Sequence, residues 1–197
     1  NWAGKSDAFK VLQTPTTKTL VPAKDESINF DTTENIFIEG ENLEVMKVLQ
    51  KSYFGKVKMI YIDPPYNTGN EGWVYNDNVN DPKINKWLGQ VVGKEAEDLT
   101  RHDKWLCMMY PRIKLLHKLL SDDGVIFISI DDNEYSNLKL LCDDIFGYPN
   151  CIGPIVQNKM NAKNDTVNVQ KNHEFIVLYR KKGTTTEGTK VNPSIIN

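Results

Sequence analysis

The chain has little cysteine, no long apolar run, almost no net charge and no closely spaced pair of glycines. Only three of its 197 residues are cysteines, Cys107, Cys142 and Cys151. An odd number without paired spacing argues against a disulfide framework and leaves a reduced, cytosolic setting as the expectation. No apolar stretch approaches the roughly 20 residues of a membrane helix. The first residues lack the basic-then-apolar pattern of a secretory leader. Lys and Arg number 24 against 26 Asp and Glu, a net charge of −2, so the whole chain offers no bulk attraction for nucleic acid. No His/Cys cluster has metal-ligand spacing, and no metal is expected. The twelve glycines are so spread that Gly-x-Gly occurs nowhere. These residues therefore hold no glycine-rich loop of the kind that lets backbone approach a ligand closely.

The composition is that of a globular protein: 40% hydrophobic and 25% charged residues. Charge is unevenly placed. Residues 1–150 hold 17 Lys and Arg against 23 Asp and Glu, whereas residues 151–197 hold 7 against 3. The basic C-terminal segment could face phosphates or be an ordinary solvated strand pair.

Residues 1–34 are rich in Thr, Ser and Lys and read as an arm that wraps the domain, with short strands possible. Ile36-Phe37-Ile38 reads as a short strand broken by Gly40. Asn42 is placed to cap a helix whose apolar stripe is Leu43, Met46, Leu49 and Tyr53, closed by Gly55. Val57–Ile62 is a strand that Asp63-Pro64-Pro65 stops, because proline cannot continue a central ladder. Residues 67–85 carry six Asn, two Gly and a Pro, and are expected to be a long, mobile, functional loop. Helical signal runs from about Glu95 to Leu120, with a kink or restart at Pro111. Val125–Ile130 is a buried strand, and Asp131 or Asp132 starts a helix that ends near Phe146. Strands follow around Ile152–Gln157 and Phe175–Tyr179. Alternation of strand and helix predicts an α/β fold, a mostly parallel sheet with helices on its faces. Ligands bind such sheets beyond the carboxyl ends of the strands. Glu39-Gly40-Glu41-Asn42, Asp63 and Asp131 are all expected there.

Asp63-Pro64-Pro65-Tyr66 carries the chemistry. Two prolines fix the backbone and remove two donors. What remains is a rigid loop of acceptors, suited to a partner with N–H donors, beside a ring that can stack on a flat group. An exocyclic amine on a planar base meets both demands. Its lone pair is delocalised into the ring, and two acceptors on its hydrogens favour a pyramidal nitrogen with a localised pair. A base in a duplex reaches such a loop only when flipped out.

The stretch Ile62-Asp63-Pro64-Pro65-Tyr66-Asn67-Thr68-Gly69-Asn70 resembles the amino-methylating DNA methyltransferases, in the branch of the modification (Mod) subunits of type III restriction–modification systems. Ile38–Val45 before it, Ser121–Glu134 after it and His173–Tyr179 extend the resemblance over most of residues 35–182. The resemblance implies a partial Rossmann-like S-adenosylmethionine-dependent methyltransferase fold. It implies methyl transfer from S-adenosyl-L-methionine to adenine N6 in double-stranded DNA. Asp63 and the Pro64 carbonyl would accept from the target amine, Pro65 would stiffen the loop, and Tyr66 and Asn67 would meet the flipped base. Asp63, Glu41 and Asn42 would lie near the cofactor. Members of the family often have Asp where this chain has Glu41. A restriction subunit and a second copy of the chain are the implied partners, in the cytoplasm, with no membrane.

In the resembled branch the catalytic loop precedes the recognition region and the cofactor loop. Residues 35–182 are then the catalytic half of a permuted methyltransferase domain, and residues 183–197 the start of a downstream region or tail. The expectation is an N-terminal fragment, inactive alone. A non-catalytic assembly or docking fragment of a restriction–modification complex is the alternative, and methylation of RNA or protein amines a weaker third. Asp131-Asp132 reads as a helix cap, His173 as a strand-entry residue, His102 as a helix start, and Trp105, Met108 and Met109 as helix core.

Overall fold

A computed structural model describes residues 2–68, 101–159 and 172–182. The long loop expected at residues 67–85 lies almost wholly outside these residues, as does the start of the helical signal at Glu95. The elements run α1 (Lys5–Gln13), α2 (Asn42–Tyr53), β1 (Val57–Ile62), α3 (Arg101–Leu119), β2 (Leu120–Ile130), α4 (Tyr135–Phe146), β3 (Cys151–Asn158) and β4 (His173–Arg180), with 3-10 turns at Lys24–Glu26 and Tyr148–Asn150. No described helix is long and apolar enough to cross a membrane.

The four strands form one sheet in the order β1-β2-β4-β3. β1 pairs in parallel with β2, Ile60 opposite Ile126 and Ile62 opposite Ile128. The other two pairings, β2 with β4 and β4 with β3, are antiparallel. The expected α/β layering with flanking helices is present, but the expectation of a mostly parallel sheet is corrected. Parallel neighbours need a long crossover, usually helical. The chain between β1 and β2 supplies one in α3, whereas β3 and β4 are successive strands that pair antiparallel to each other.

The core lies under one face of the sheet. Ile126, Ile128 and Ile130 alternate inward from β2 and are fully buried, with Val177 and Tyr179 of β4 beside them. Trp105, Met109, Tyr110 and Ile113 of α3 and Leu138, Leu141 and Cys142 of α4 pack onto that face. β1 contributes Ile60 and Ile62 on the same side. Its alternate residues Met59 and Tyr61 stay 63% and 57% exposed. A smaller cluster of Val11, Leu43, Met46, Leu115 and Leu119 joins α1, α2 and α3. The three cysteines are free, Cys107 and Cys142 buried and Cys151 half-buried.

Three local expectations change. Ile36-Phe37-Ile38 is not a strand: Ile36 is exposed and Phe37 is 91% exposed. The N-terminal segment forms α1 and a 3-10 turn rather than strands, with Ala8 and Val11 inward and Trp2 and Phe9 stacked near Tyr110. α3 passes through Pro111 as one helix. Proline removes an interior hydrogen bond, and the following Arg112 places Nη1 2.9 Å from the Met108 carbonyl as a donor. Gly124 is required by contact. A Cβ there would lie 2.9 Å from the carbonyl oxygens of both Ser121 and Val57, at the register shift between β1 and β2.

His117 of α3 packs edge-on against Phe146 at 4.8 Å. Burial, with Lys181, Lys114 and Lys182 nearby, pulls its pKa down to about 4. The unfolded chain takes up that proton near 6.5, so stability must fall as pH drops from about 6.5 toward 4. Urea unfolding of His117→Gln should therefore show a smaller loss of stability across that window than the parent protein. Ile128→Ala, which empties a fully buried site, should cost about 2–5 kcal/mol, whereas Phe37→Ala should stay within about 0.5 kcal/mol.

Candidate functional site

β1 and β2 run parallel, so their carboxyl ends share one edge of the sheet. Asp63 follows Ile62 at the end of β1, and Asp131 follows Ile130 at the end of β2. β4 runs the other way and brings its first residue, His173, to the same edge. His173 Nε2 lies 3.7 Å from Asp132 Oδ1, and its ring stands edge-on to Phe175 at 5.0 Å. Asp131 Oδ1 accepts from the Asn133 amide at 2.9 Å, and its carbonyl accepts from the Tyr135 amide at the start of α4. The strand-entry reading of His173 describes its position, but Asp131 does not cap α4: the helix begins at Tyr135 with Glu134 at its N-cap position, and Asp131 closes a turn before it.

The loop Asp63–Asn67 sits on top of this edge. Asp63 is exposed, Pro64 buried, and Pro65 and Tyr66 half-buried. The Tyr66 hydroxyl is pushed up to about 12, first by burial and then by the Asp63 carboxylate beside it, with Tyr61 and Asp131 adding to the effect. Tyr61 and Ser129 share a 2.7 Å hydrogen bond between their hydroxyls, tying the outer faces of β1 and β2 just below.

Two side chains fix the loop from beneath. Trp105 of α3, wholly buried, donates its Nε1 hydrogen to the Pro65 carbonyl at 2.7 Å. Asn67, fully buried and in the left-handed region at φ 59, donates from Nδ2 to Glu134 Oε1. Left-handed backbone is uncommon outside glycine, and Asn is among the residues that adopt it. Glu134, also fully buried, meets His102 Nδ1 at 2.7 Å and accepts from Asn137 Nδ2 at 2.8 Å.

The cap of α2 is not the residue expected. Glu41, not Asn42, caps α2: its carboxylate accepts from the Leu43 and Glu44 amides at 3.1 and 2.9 Å. Arg112 of α3 then binds both side chains, Nη2 to Glu41 Oε1 and Nε to Asn42 Oδ1, at 2.9 and 2.8 Å. The segment before them is not a strand, so the edge has two polar strand ends of the expected three. Asn67, expected on the base side, has its amide nitrogen committed to Glu134, while its buried Oδ1 has no hydrogen-bond partner among the described residues.

Sequence reasoning missed Glu134, Asn137, Arg112 and the loop-holding role of Trp105. Trp105 is helix core as read, but its indole nitrogen has a partner in the loop. A carboxyl three residues before an Asn at the entry to a helix was the available signal for Glu134 and Asn137.

A family model described as DNA methylase matches residues 57–195. The chain belongs to the N6/N4 DNA methylase family. It is 42% identical over 197 residues to the Mod subunit of the type III restriction–modification enzyme EcoP15I from Escherichia coli, across 92% of this chain and 30% of that protein. It is 41% identical to the EcoPI Mod subunit of Escherichia phage P1, with the same coverage. The type II methyltransferase M.KpnI from Klebsiella pneumoniae is 38% identical over 77% of this chain and 33% of its own length. This methylase chain thus spans about a third or less of these relatives. Among solved structures, a Thermus thermophilus protein described as a DNA modification methylase and complexed with S-adenosyl-L-methionine matches 77% of the chain and 55% of its own, at 16% identity and TM-score 0.47.

Glu41 loses a cap and an ion pair together when truncated. Glu41→Ala should destabilise by about 1–2 kcal/mol from the cap alone, and a double-mutant cycle with Arg112→Ala should show coupling above about 0.5 kcal/mol. Additive losses in urea unfolding would refute the pairing.

Proposed function

We propose that the protein carrying this methylase chain moves a methyl group from S-adenosyl-L-methionine to the N6 amine of adenine in DNA, as the modification subunit of a type III restriction–modification system. The observation that carries the reading is an exposed Asp63 carboxylate at the end of β1, on a loop stiffened by two prolines and flanked by the Tyr66 ring. The identity to Mod subunits supports the type III assignment, the DNA substrate and a restriction-subunit partner.

The residues present suit the chemistry. Trp105 occupies the Pro65 carbonyl, which leaves the Asp63 carboxylate and the Pro64 carbonyl as the acceptors for an amine's two hydrogens. Accepting both hydrogens localises the nitrogen lone pair. Tyr66, neutral at working pH as a tyrosine ordinarily is, offers an uncharged ring for stacking on the base. The cofactor supplies a methyl group on a positively charged sulfur. The amine nitrogen forms the new N–C bond as the C–S bond breaks, the sulfur keeps the bonding pair as a thioether, and the extra proton on nitrogen leaves after transfer. Asp63, an exposed anion, also fits a position beside that positive charge.

Glu41 and Asn42 serve the cofactor side in this reading by fixing the start of α2 through Arg112. No Gly-x-Gly lies within the 197 residues, so the chain alone should bind the cofactor poorly. Dimerisation and an extruded adenine belong to the same proposal.

Tritiated S-adenosyl-L-methionine and adenine-containing duplex DNA test it in the whole protein. Asp63→Ala should lower kcat by about 100-fold or more with assembly unchanged, and Tyr66→Ala should cost about 1–3 kcal/mol of base binding while Tyr66→Phe costs less. Full methylation by Asp63→Ala would reject catalysis at this loop and favour a purely assembling role.

A further inference from the structure

The catalytic reading uses the upper side of the Asp63–Tyr66 loop. The buried polar group beneath it has no part in that chemistry. Glu134 is fully buried at the entry to α4, and a buried carboxyl group is costly unless its oxygens are hydrogen-bonded. Its oxygens are met by three side chains from three segments. Asn67 of the loop and His102 of α3 share Oε1, and Asn137 of α4 donates to Oε2.

Each partner is itself placed. Asn67 follows Tyr66 directly and is fully buried in the left-handed region. Its Nδ2 lies 3.5 Å from the Arg101 carbonyl at the start of α3. Asn137 stands one helical turn from Glu134. Two residues back along the loop, the Pro65 carbonyl takes the Trp105 indole hydrogen. Tyr66 therefore sits between two fixed points, one at Pro65 and one at Asn67, and both come from the helical layer rather than from the sheet.

We propose that Glu134 is a positioning residue for methyl transfer: through Asn67 it sets the backbone of the Asp63–Tyr66 loop, and Asn137 and His102 hold its carboxyl group in the orientation that does so. This rests on the methyltransferase reading above. Glu134 touches neither base nor cofactor in this scheme. Its effect is on where the Asp63 carboxylate and the Pro64 carbonyl stand when an amine arrives, and misplacement of a reacting group by about 1 Å can cost 100-fold.

The test uses the whole protein, tritiated S-adenosyl-L-methionine and duplex DNA. Glu134→Ala and Asn67→Ala should each lower kcat by about tenfold or more, with KM for the cofactor changed less than about threefold, and the double variant should lose little beyond either single one. Glu134→Gln keeps the shape and one acceptor oxygen, and the Asn67 and Asn137 amides can turn to meet its new donor, so it should regain most of the activity that Glu134→Ala loses. Losses that multiply in the double variant, absence of rescue, or a fall in activity that only follows the folded fraction would each overturn the proposal. If the unaltered protein transfers no methyl group, the methyltransferase reading fails, and the positioning claim is then read separately by fluorine resonance. With 5-fluorotryptophan incorporated and Trp105 assigned through Trp105→Phe, Glu134→Ala and Asn67→Ala should displace the Trp105 signal alike. An unmoved signal overturns the claim.

Discussion

The parallel pairing of β1 with β2 is the constraint on which the site depends. Only parallel neighbours deliver two carboxyl ends to one edge, and here those ends are Asp63 and Asp131. The pairing is secured on both faces. Inward, Ile60, Ile62, Ile126 and Ile128 bury against α3 and α4. Outward, the Tyr61 and Ser129 hydroxyls join across the strands. Gly124 lets the start of β2 close on the Val57 carbonyl, where any side chain would intrude. A one-residue slip in this register would turn the isoleucines outward and move Asp63 relative to Asp131.

Two prolines make the Asp63–Tyr66 loop stiff, but stiffness does not aim it. Proline removes donors, so the loop's own backbone can make few anchoring bonds. The anchors come from outside: an indole to the Pro65 carbonyl and a carboxyl group to the Asn67 amide. The first is partly buried and the second fully buried, where hydrogen bonds are electrostatically stronger and leaving one unmade is costly. The exposed Asp63 and the buried Glu134 thus divide the work by environment. One acid stays in reach of solvent and substrate, while the other spends its oxygens on the scaffold.

Much of this was legible in the chain. Val57–Ile62 is read to the residue, because an apolar run stops at a proline pair. α2 follows from Leu43, Met46 and Leu49 at helical spacing. The failures have physical causes. Ile36-Phe37-Ile38 has the composition of a strand, but without a neighbouring ladder it remains coil, with Ile36 and Phe37 exposed and Ile38 half-buried. α1 hides its inward Ala8 and Val11 in a Lys- and Thr-rich context. Strand direction is not written in an apolar run, so nothing within β3 or β4 sets them against the sheet's general sense. The polar stretch between them, without helical periodicity, is the available clue that they pair antiparallel. In the site, Asp63–Tyr66 announces itself by local chemistry. Glu134 does not, since its bonds to Asn67 and His102 join residues 67 and 32 positions apart.

The same reasoning separates the two acidic groups expected together beside the cofactor. Asp63 meets no basic side chain in the described hydrogen bonds and remains exposed. Glu41 has both oxygens occupied, by two amides of α2 and by Arg112. Releasing Glu41 toward a ligand would uncap α2 and remove the carboxylate partner of a mostly buried guanidinium, which keeps Asn42 Oδ1 and the Met108 carbonyl. Shortening it to Asp would draw the carboxylate back toward the α2 amides and away from Arg112. Glu41 is therefore suited to reach Arg112 across to α3 while it caps α2.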